Sequence, residues 1–156
     1  MNETQLLVSE LYSKGYNCAQ VVMIGGLRRM GRENPDLVRA MGGLVHGVGD
    51  SGEVCGAISG AACLVSLHIG KGFDDERPHP DGMLIMDELI GWFRDELCGG
   101  GAITCSALID DPDRVMHGRF CGRLLGACLD KATKLLAQYG IDPAGGLPLL
   151  PTAKQI

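Results

Sequence analysis

Apolar residues along this chain recur at spacings of three and four, and no run alternates apolar with polar over the length of a strand. Leu6, Leu7 and Leu11 fall at helical spacing in residues 3–14, with Glu3, Glu10 and Lys14 elsewhere, and Gly15 stops that helix. Asn17 is placed to cap a second helix over 18–30, whose Val21, Val22, Ile24 and Leu27 face the core. Arg28, Arg29 and Arg32 lie at its end, where cations suit the helix dipole. Asn34-Pro35, a cap followed by proline at the first helical position, opens a short helix over 35–43 that ends in Gly42-Gly43.

A glycine-rich loop over 43–53 leads into an apolar run that predicts a helix over 55–69, buried most of the way round and ended by Gly70. Residues 70–80 read as a surface loop. Asp81 caps a helix over 82–97, with Leu84, Ile85, Leu89, Trp92 and Phe93 on its apolar side, and Cys98-Gly99-Gly100-Gly101 breaks it. Thr104 caps a short helix over 105–109, and Asp111-Pro112 opens the last long helix, 112–138, before Gly140. The expectation is an all-α fold: one helical redox domain over 1–140, a bundle of five or six helices around the central 55–69 helix. A tail over 141–156, carrying Pro143, Pro148 and Pro151, follows as an extended arm or a disordered segment.

Composition changes this picture in two ways. Aromatic residues are only 4 %, so the core must be built from Leu, Ile, Val, Met and Ala. Glycine is 24 of 156 residues, about twice the usual ~7 %, which suits helices whose backbones pack closely. Gly56 and Gly60 stripe the central helix and Gly118, Gly122 and Gly126 the last one, so these two are expected to meet. The stripes and the proline-rich tail also suggest a homodimer. A net charge of −5, with only Arg28, Arg29 and Arg32 clustered, argues against nucleic acid as a partner. No apolar run reaches the ~20 residues needed to span a bilayer. The first residues lack the basic start of a signal peptide, and the expected location is cytoplasmic.

Seven cysteines in a reducing compartment point to metal binding or redox chemistry rather than to a disulfide scaffold. No Cys-x-x-Cys occurs, which removes thioredoxin-type and zinc-knuckle motifs. Helix rise separates Cys121 from Cys128 by roughly 10 Å and Cys55 from Cys63 by roughly 12 Å, so one helix gives at most one sulfur to a shared site. The candidates are then Cys18, one of Cys55 and Cys63, one of Cys98 and Cys105, and one of Cys121 and Cys128. Cys18, Cys55 and Cys105 lie at predicted helix starts, where free N–H groups and the dipole favour a thiolate. Cys63 and Cys128 lie deep in apolar helices and read as core residues, and Cys98 stands at a helix end, where the dipole opposes a thiolate. Cys121 completes the set. His117, four residues before Cys121, is within reach of such a site but reads as a surface residue, and His46, in the glycine loop near Cys55, reads as a non-ligand.

Gly15-Tyr16-Asn17-Cys18-Ala19-Gln20, then Cys55-Gly56-Ala57-x-x-Gly60, then Cys105 and Cys121, resembles the redox-active proteins named for their C_GCAxxG_C_C cysteine pattern. The resemblance runs from about residue 5 to 137. It implies that Cys18, Cys55, Cys105 and Cys121 are the functional cysteines. A similar domain accompanies the haem region of split-Soret cytochromes, where an iron–sulfur centre is implied; that haem region has no counterpart here. The function expected is therefore electron transfer through a [2Fe–2S] or [4Fe–4S] cluster on those four cysteines, with a redox protein as partner. Two alternatives stand beside it: a thiol–disulfide oxidoreductase with Cys55 as attacking thiolate, and a structural zinc module on four cysteines.

Overall fold

The computed structural model describes residues 2–109 and 117–145, over 117–119 by backbone alone. Seven helices are named here: α1 (Glu3–Ser13), α2 (Cys18–Arg29), α3 (Pro35–Met41), α4 (Gly56–Ile69), α5 (Gly82–Trp92), α6 (Cys105–Leu108) and α7 (His117–Gln138). The fold is all-α, as the periodicity predicts.

Local chemistry sets most of these starts. The Asn2 side chain accepts from Gln5 N–H at 2.9 Å, and Gln5 Oε1 accepts in turn from Asn2 N–H at 3.1 Å, a reciprocal cap. Gln20 Oε1 accepts from Asn17 N–H at 3.2 Å at the head of α2. Asn34 caps α3 by accepting from Leu37 N–H at 3.0 Å, with Pro35 behind it. Thr104 caps α6 by accepting from Ala107 N–H at 3.2 Å. Asp81 holds the cap position of α5 but makes no side-chain capping bond. α5 runs on through a π-helical turn, Phe93–Leu97, so the helical stretch has the length the sequence predicts but changes its winding before Cys98. The predicted start of the last helix, at Asp111-Pro112, and the tail beyond 145 lie outside the described residues.

α4 is the centre of the bundle and packs against α2, α5 and α7, while α1 lies on α2 and α7. Ala57, Ile58, Ala61, Leu64, Val65 and Ile69 of α4 are buried on more than one side, as expected of a helix with no polar face. The glycine stripes find other partners than those expected. A Cβ at Gly60 would stand 2.9 Å from Ala19 Cα, and one at Gly26 would collide with the Leu64 side chain. The close approach of α4 is therefore to α2, with small residues on each helix admitting the other. Gly122 and Gly126 face Val8 and Thr4 of α1, each at 3.7 Å from a Cβ placed there. α7 also packs against α4.

Arg29 does more than complement a helix dipole. Its guanidinium donates to Leu129 O at 3.4 Å, to Thr133 Oγ1, and to Thr4 Oγ1 at 3.4 Å, and pairs with Asp130 at 3.4 Å. Thr4 also donates to Asp130 at 2.9 Å. One side chain of α2 thus ties α1 to α7. No helix among the described residues is long and apolar enough to cross a membrane.

The α2–α4 contact makes a direct prediction. Gly60→Val would force α2 away from α4 at a backbone contact that rotamers cannot relieve. The expected cost is about 1–3 kcal/mol, read as a lower urea midpoint. An unchanged midpoint would show that the helices can part without loss.

Candidate functional site: a four-thiol cavity

Cys55 is the N-cap of α4, with extended backbone (φ −56°, ψ 130°) that turns the chain into the helix. The N–H groups of Ala57 and Ile58, in the first turn, point at its sulfur. The same residue is fixed from outside the helix. Cys55 N–H donates to Ile103 O at 2.9 Å, Cys105 N–H donates to Glu53 O at 2.6 Å, and Ser106 N–H donates to Gly52 O at 3.1 Å. Val54 and Thr104 form an isolated antiparallel bridge between these bonds. Two cysteines far apart in the chain are thereby pinned on neighbouring stretches of backbone, although neither segment carries a strand pattern.

Cys18 opens α2 and sits against the bare backbone of Gly56. A Cβ at Gly56 would overlap Cys18 Sγ and stand 3.2 Å from Leu44 O. The glycine after Cys55 is thus the space that the Cys18 thiol fills. Cys121, from α7, brings Leu124 and Leu125 with it, one turn further along. Cys18, Cys55, Cys105 and Cys121 line a single cavity of about 240 Å³. Its other walls include Tyr12, Ala57, Leu108 and Leu125, so the thiols sit in a largely apolar chamber.

None of the remaining cysteines lines this cavity. Cys128 is fully buried in the core. Cys63 is half-buried in a separate groove with Met23 and Phe73. Cys98 is half-buried after the π-helical turn and packs on the core. The cavity also contains a residue that reads from sequence as a non-ligand: His46.

His46 begins a stretch of left-handed backbone. His46, Gly47, Val48, Gly49 and Asp50 have φ of 54°, 72°, 66°, 63° and 69° in succession. Left-handed backbone costs roughly 1–2 kcal/mol for each non-glycine residue, and here it includes a β-branched valine. Gly47 is indispensable to the turn, because a Cβ there would stand 2.5 Å from Glu53 N. Glu53 N–H donates to Gly47 O at 2.9 Å, which joins the turn to the backbone bridge beside Cys55. His46 Nδ1 lies 3.8 Å from Asp50 Oδ1. The glycines of the loop foreshadow positive φ at 47 and 49, and His46 and Asp50 are of types that tolerate it better than most, but nothing in the sequence foreshadows it at Val48.

Electrostatics in the cavity runs against the expectation of ready thiolates. Burial pushes the Cys55 thiol from an ordinary 9.0 to about 12; the Ala57 and Ile58 N–H groups pull the other way but lose, and the Cys18 and Cys105 thiols add to the rise. Cys121 is pushed up to about 11 by burial and then by Cys18 and Cys105, and Cys105 is raised chiefly by burial. Tyr12 is raised by the same burial and by Cys121, Cys18 and Cys55. At neutral pH the buried sulfurs Cys55 and Cys121 hold their protons.

Among the described residues no three His, Cys, Asp or Glu side chains are grouped so as to hold one metal ion. His117 and the acidic run Asp110-Asp111-Asp113 lie outside the described side chains.

The arrangement is one of thiols gathered from four segments, and its sequence pattern is a family pattern. A family model described as "Putative redox-active protein (C_GCAxxG_C_C)" matches residues 16–135, well over half of the chain, and the protein belongs to that family. The matched span contains all four cavity cysteines. No curated protein and no solved structure matches the chain.

Two outcomes are expected from this geometry. Gly56→Ala should expel the Cys18 sulfur from its niche and speed its reaction with an external disulfide reagent in the native protein; an unchanged rate would mean the sulfur has room to shift. The raised thiols also set a pH dependence for the reduced, metal-free protein. Below pH 9 folded and unfolded thiols are alike protonated, and the stabilisation is fully present. As pH rises from 9 towards 12 the unfolded chain ionises while the folded thiol does not, so stability falls. Urea midpoints across that window should fall less steeply in Cys55→Ala than in the wild type, and parallel slopes would contradict the assignment.

Proposed function

We propose that this protein transfers electrons through an iron–sulfur cluster held by Cys18, Cys55, Cys105 and Cys121. The observation that carries the reading is the convergence of four thiols from four segments on one apolar-walled cavity. Four thiolates are the ligand set of [2Fe–2S] and [4Fe–4S] clusters, and the redox family of the chain favours these over a redox-silent zinc. The family name supports redox activity in general.

When bound, such a cluster supplies one-electron chemistry. The chain's own residues do the rest. The four sulfurs bind it. The Ala57 and Ile58 N–H groups that point at Cys55 stabilise negative charge on sulfur and so shift the potential upward. Leu108, Leu124 and Leu125 give the chamber apolar walls. Loading must displace protons that burial holds on Cys55 and Cys121, so uptake is favoured as pH rises. The same protonation weakens the dithiol–disulfide alternative, because the thiolate is the attacking species. A cytoplasmic location and a redox protein as partner complete the proposal.

Anaerobic reconstitution with iron and sulfide tests it. The expected product is brown, with thiolate-to-iron charge-transfer absorption, and Cys18→Ala, Cys55→Ala, Cys105→Ala and Cys121→Ala should each lose most of that colour. Cys63→Ala and Cys128→Ala should keep it. A colourless protein that loses two thiols on oxidation, or one that retains a single zinc, would replace the cluster with the corresponding alternative.

A further inference from the structure

Resting on the cluster reading above, we infer that the cationic groove between α1, α2 and the start of α3 is the docking site for an acidic redox protein that exchanges single electrons with the four-thiol chamber. The groove is a cavity of about 510 Å³. Lys14, Arg28, Arg32 and Arg39 line it, with Glu33 as the one acidic wall residue, and all five are exposed. Glu10 pairs with Lys14 at 2.6 Å and with Arg28 at 3.1 Å, and Asp36 pairs with Arg39 at 2.5 Å. Four cations still outnumber these three carboxylates, in a chain whose net charge is −5. Arg32 has no ion-pair partner among the described residues. Ile24, Leu27 and Val38 add apolar wall to the same groove. Cations around apolar surface make a steering interface: the charges select and speed encounter, and the apolar contact holds the partner.

Position relative to the thiols is the second observation. The α1–α2 junction divides the groove from the chamber. Leu11 lines the groove and Tyr12 the chamber; Tyr16 lines the groove, Asn17 and Cys18 the chamber, and Gln20 the groove again. Tyr16 N–H donates to Leu11 O at 3.2 Å, which closes the junction into one layer of chain. Cys18 is thus two residues from a groove wall on either side, and an electron leaving its sulfur reaches the groove through one thickness of backbone. The approach past Cys105 carries the exposed acids Asp50 and Glu53 instead, and repels an acidic partner. In the docked pair one electron passes from the reduced cluster to a one-electron acceptor in the partner, or back, and no bond or proton changes hands.

Stopped-flow oxidation of the reduced, reconstituted full-length protein tests this surface with two probes of opposite charge. Ferricyanide, an anion, should react through the groove. Its rate should fall as salt rises, although the net charge of −5 alone would make it climb. Arg32→Glu combined with Arg39→Glu should slow ferricyanide by about tenfold, the lower end of what steering supplies. The same variant should not slow hexaammineruthenium(III), a cation. Poly-L-glutamate should protect the wild type from ferricyanide, and free glutamate at the same carboxylate concentration should not. A ferricyanide rate that climbs with salt, or that the double variant leaves unchanged, overturns this inference and leaves the proposed function standing. Equal protection by free glutamate overturns it in favour of a small organic acid. A protein that assembles no cluster at all overturns both.

Discussion

The contact on which the cavity depends is the one between α2 and α4. Two residues without side chains, Gly56 and Gly60, let α2 approach so closely that Cys18 and Ala19 occupy the space their Cβ atoms would take. A side chain at Gly56 would take the space of the Cys18 sulfur, and one at Gly60 would press on the Ala19 backbone. The geometry of a sulfur site is here decided by absent carbon atoms on a neighbouring helix. Leu64 makes the reciprocal move into Gly26 one layer further along, so the fit is continuous and not confined to the site.

A second organising element is a contest between burial and the helix terminus. The N–H groups at the start of α4 stabilise charge on Cys55, and taken alone they would make it a ready thiolate. Removal of the thiol from water is the larger effect, and its proton stays on. The Cys55 thiol is thus a poor nucleophile until something stronger than a proton competes for its sulfur. That behaviour suits a cofactor pocket better than a surface disulfide exchanger, which needs its thiolate formed in advance.

Most of the helical frame is legible in the sequence because its signals are local. Asn34-Pro35 and Thr104 cap helices through bonds that span three residues, and a sequence window of that size contains both partners. That one helix gives at most one sulfur to a shared cavity is legible for a similar reason, since helix rise alone separates Cys121 from Cys128 and Cys55 from Cys63; which of each pair lines the cavity is decided by the packing. Other features are not. Glycine spacing says that a helix can be approached, not by which helix, and the stripes of α4 and α7 turn to α2 and α1. The bridge that pins Cys105 beside Cys55 is made of main-chain bonds between remote segments, which carry no side-chain signature. The left-handed run through Val48 contradicts local preference outright and must be imposed by tertiary contacts. That His46 lines the cavity is not legible either, because a lone loop histidine has no periodicity to betray its direction.

The clasp of Arg29 and Thr4 on Asp130 joins the first helix to the last. On a ribosome that makes the chain from its N-terminus, α1 and α2 emerge long before their shared partner exists. Most of the groups that Arg29 will satisfy are still unsynthesised at that stage, and so is Cys121. The chamber consequently has an open side for nearly the whole of translation and closes only when α7 is released. The wall that carries Cys121 therefore arrives last, and the fourth sulfur joins the other three only at the end of synthesis.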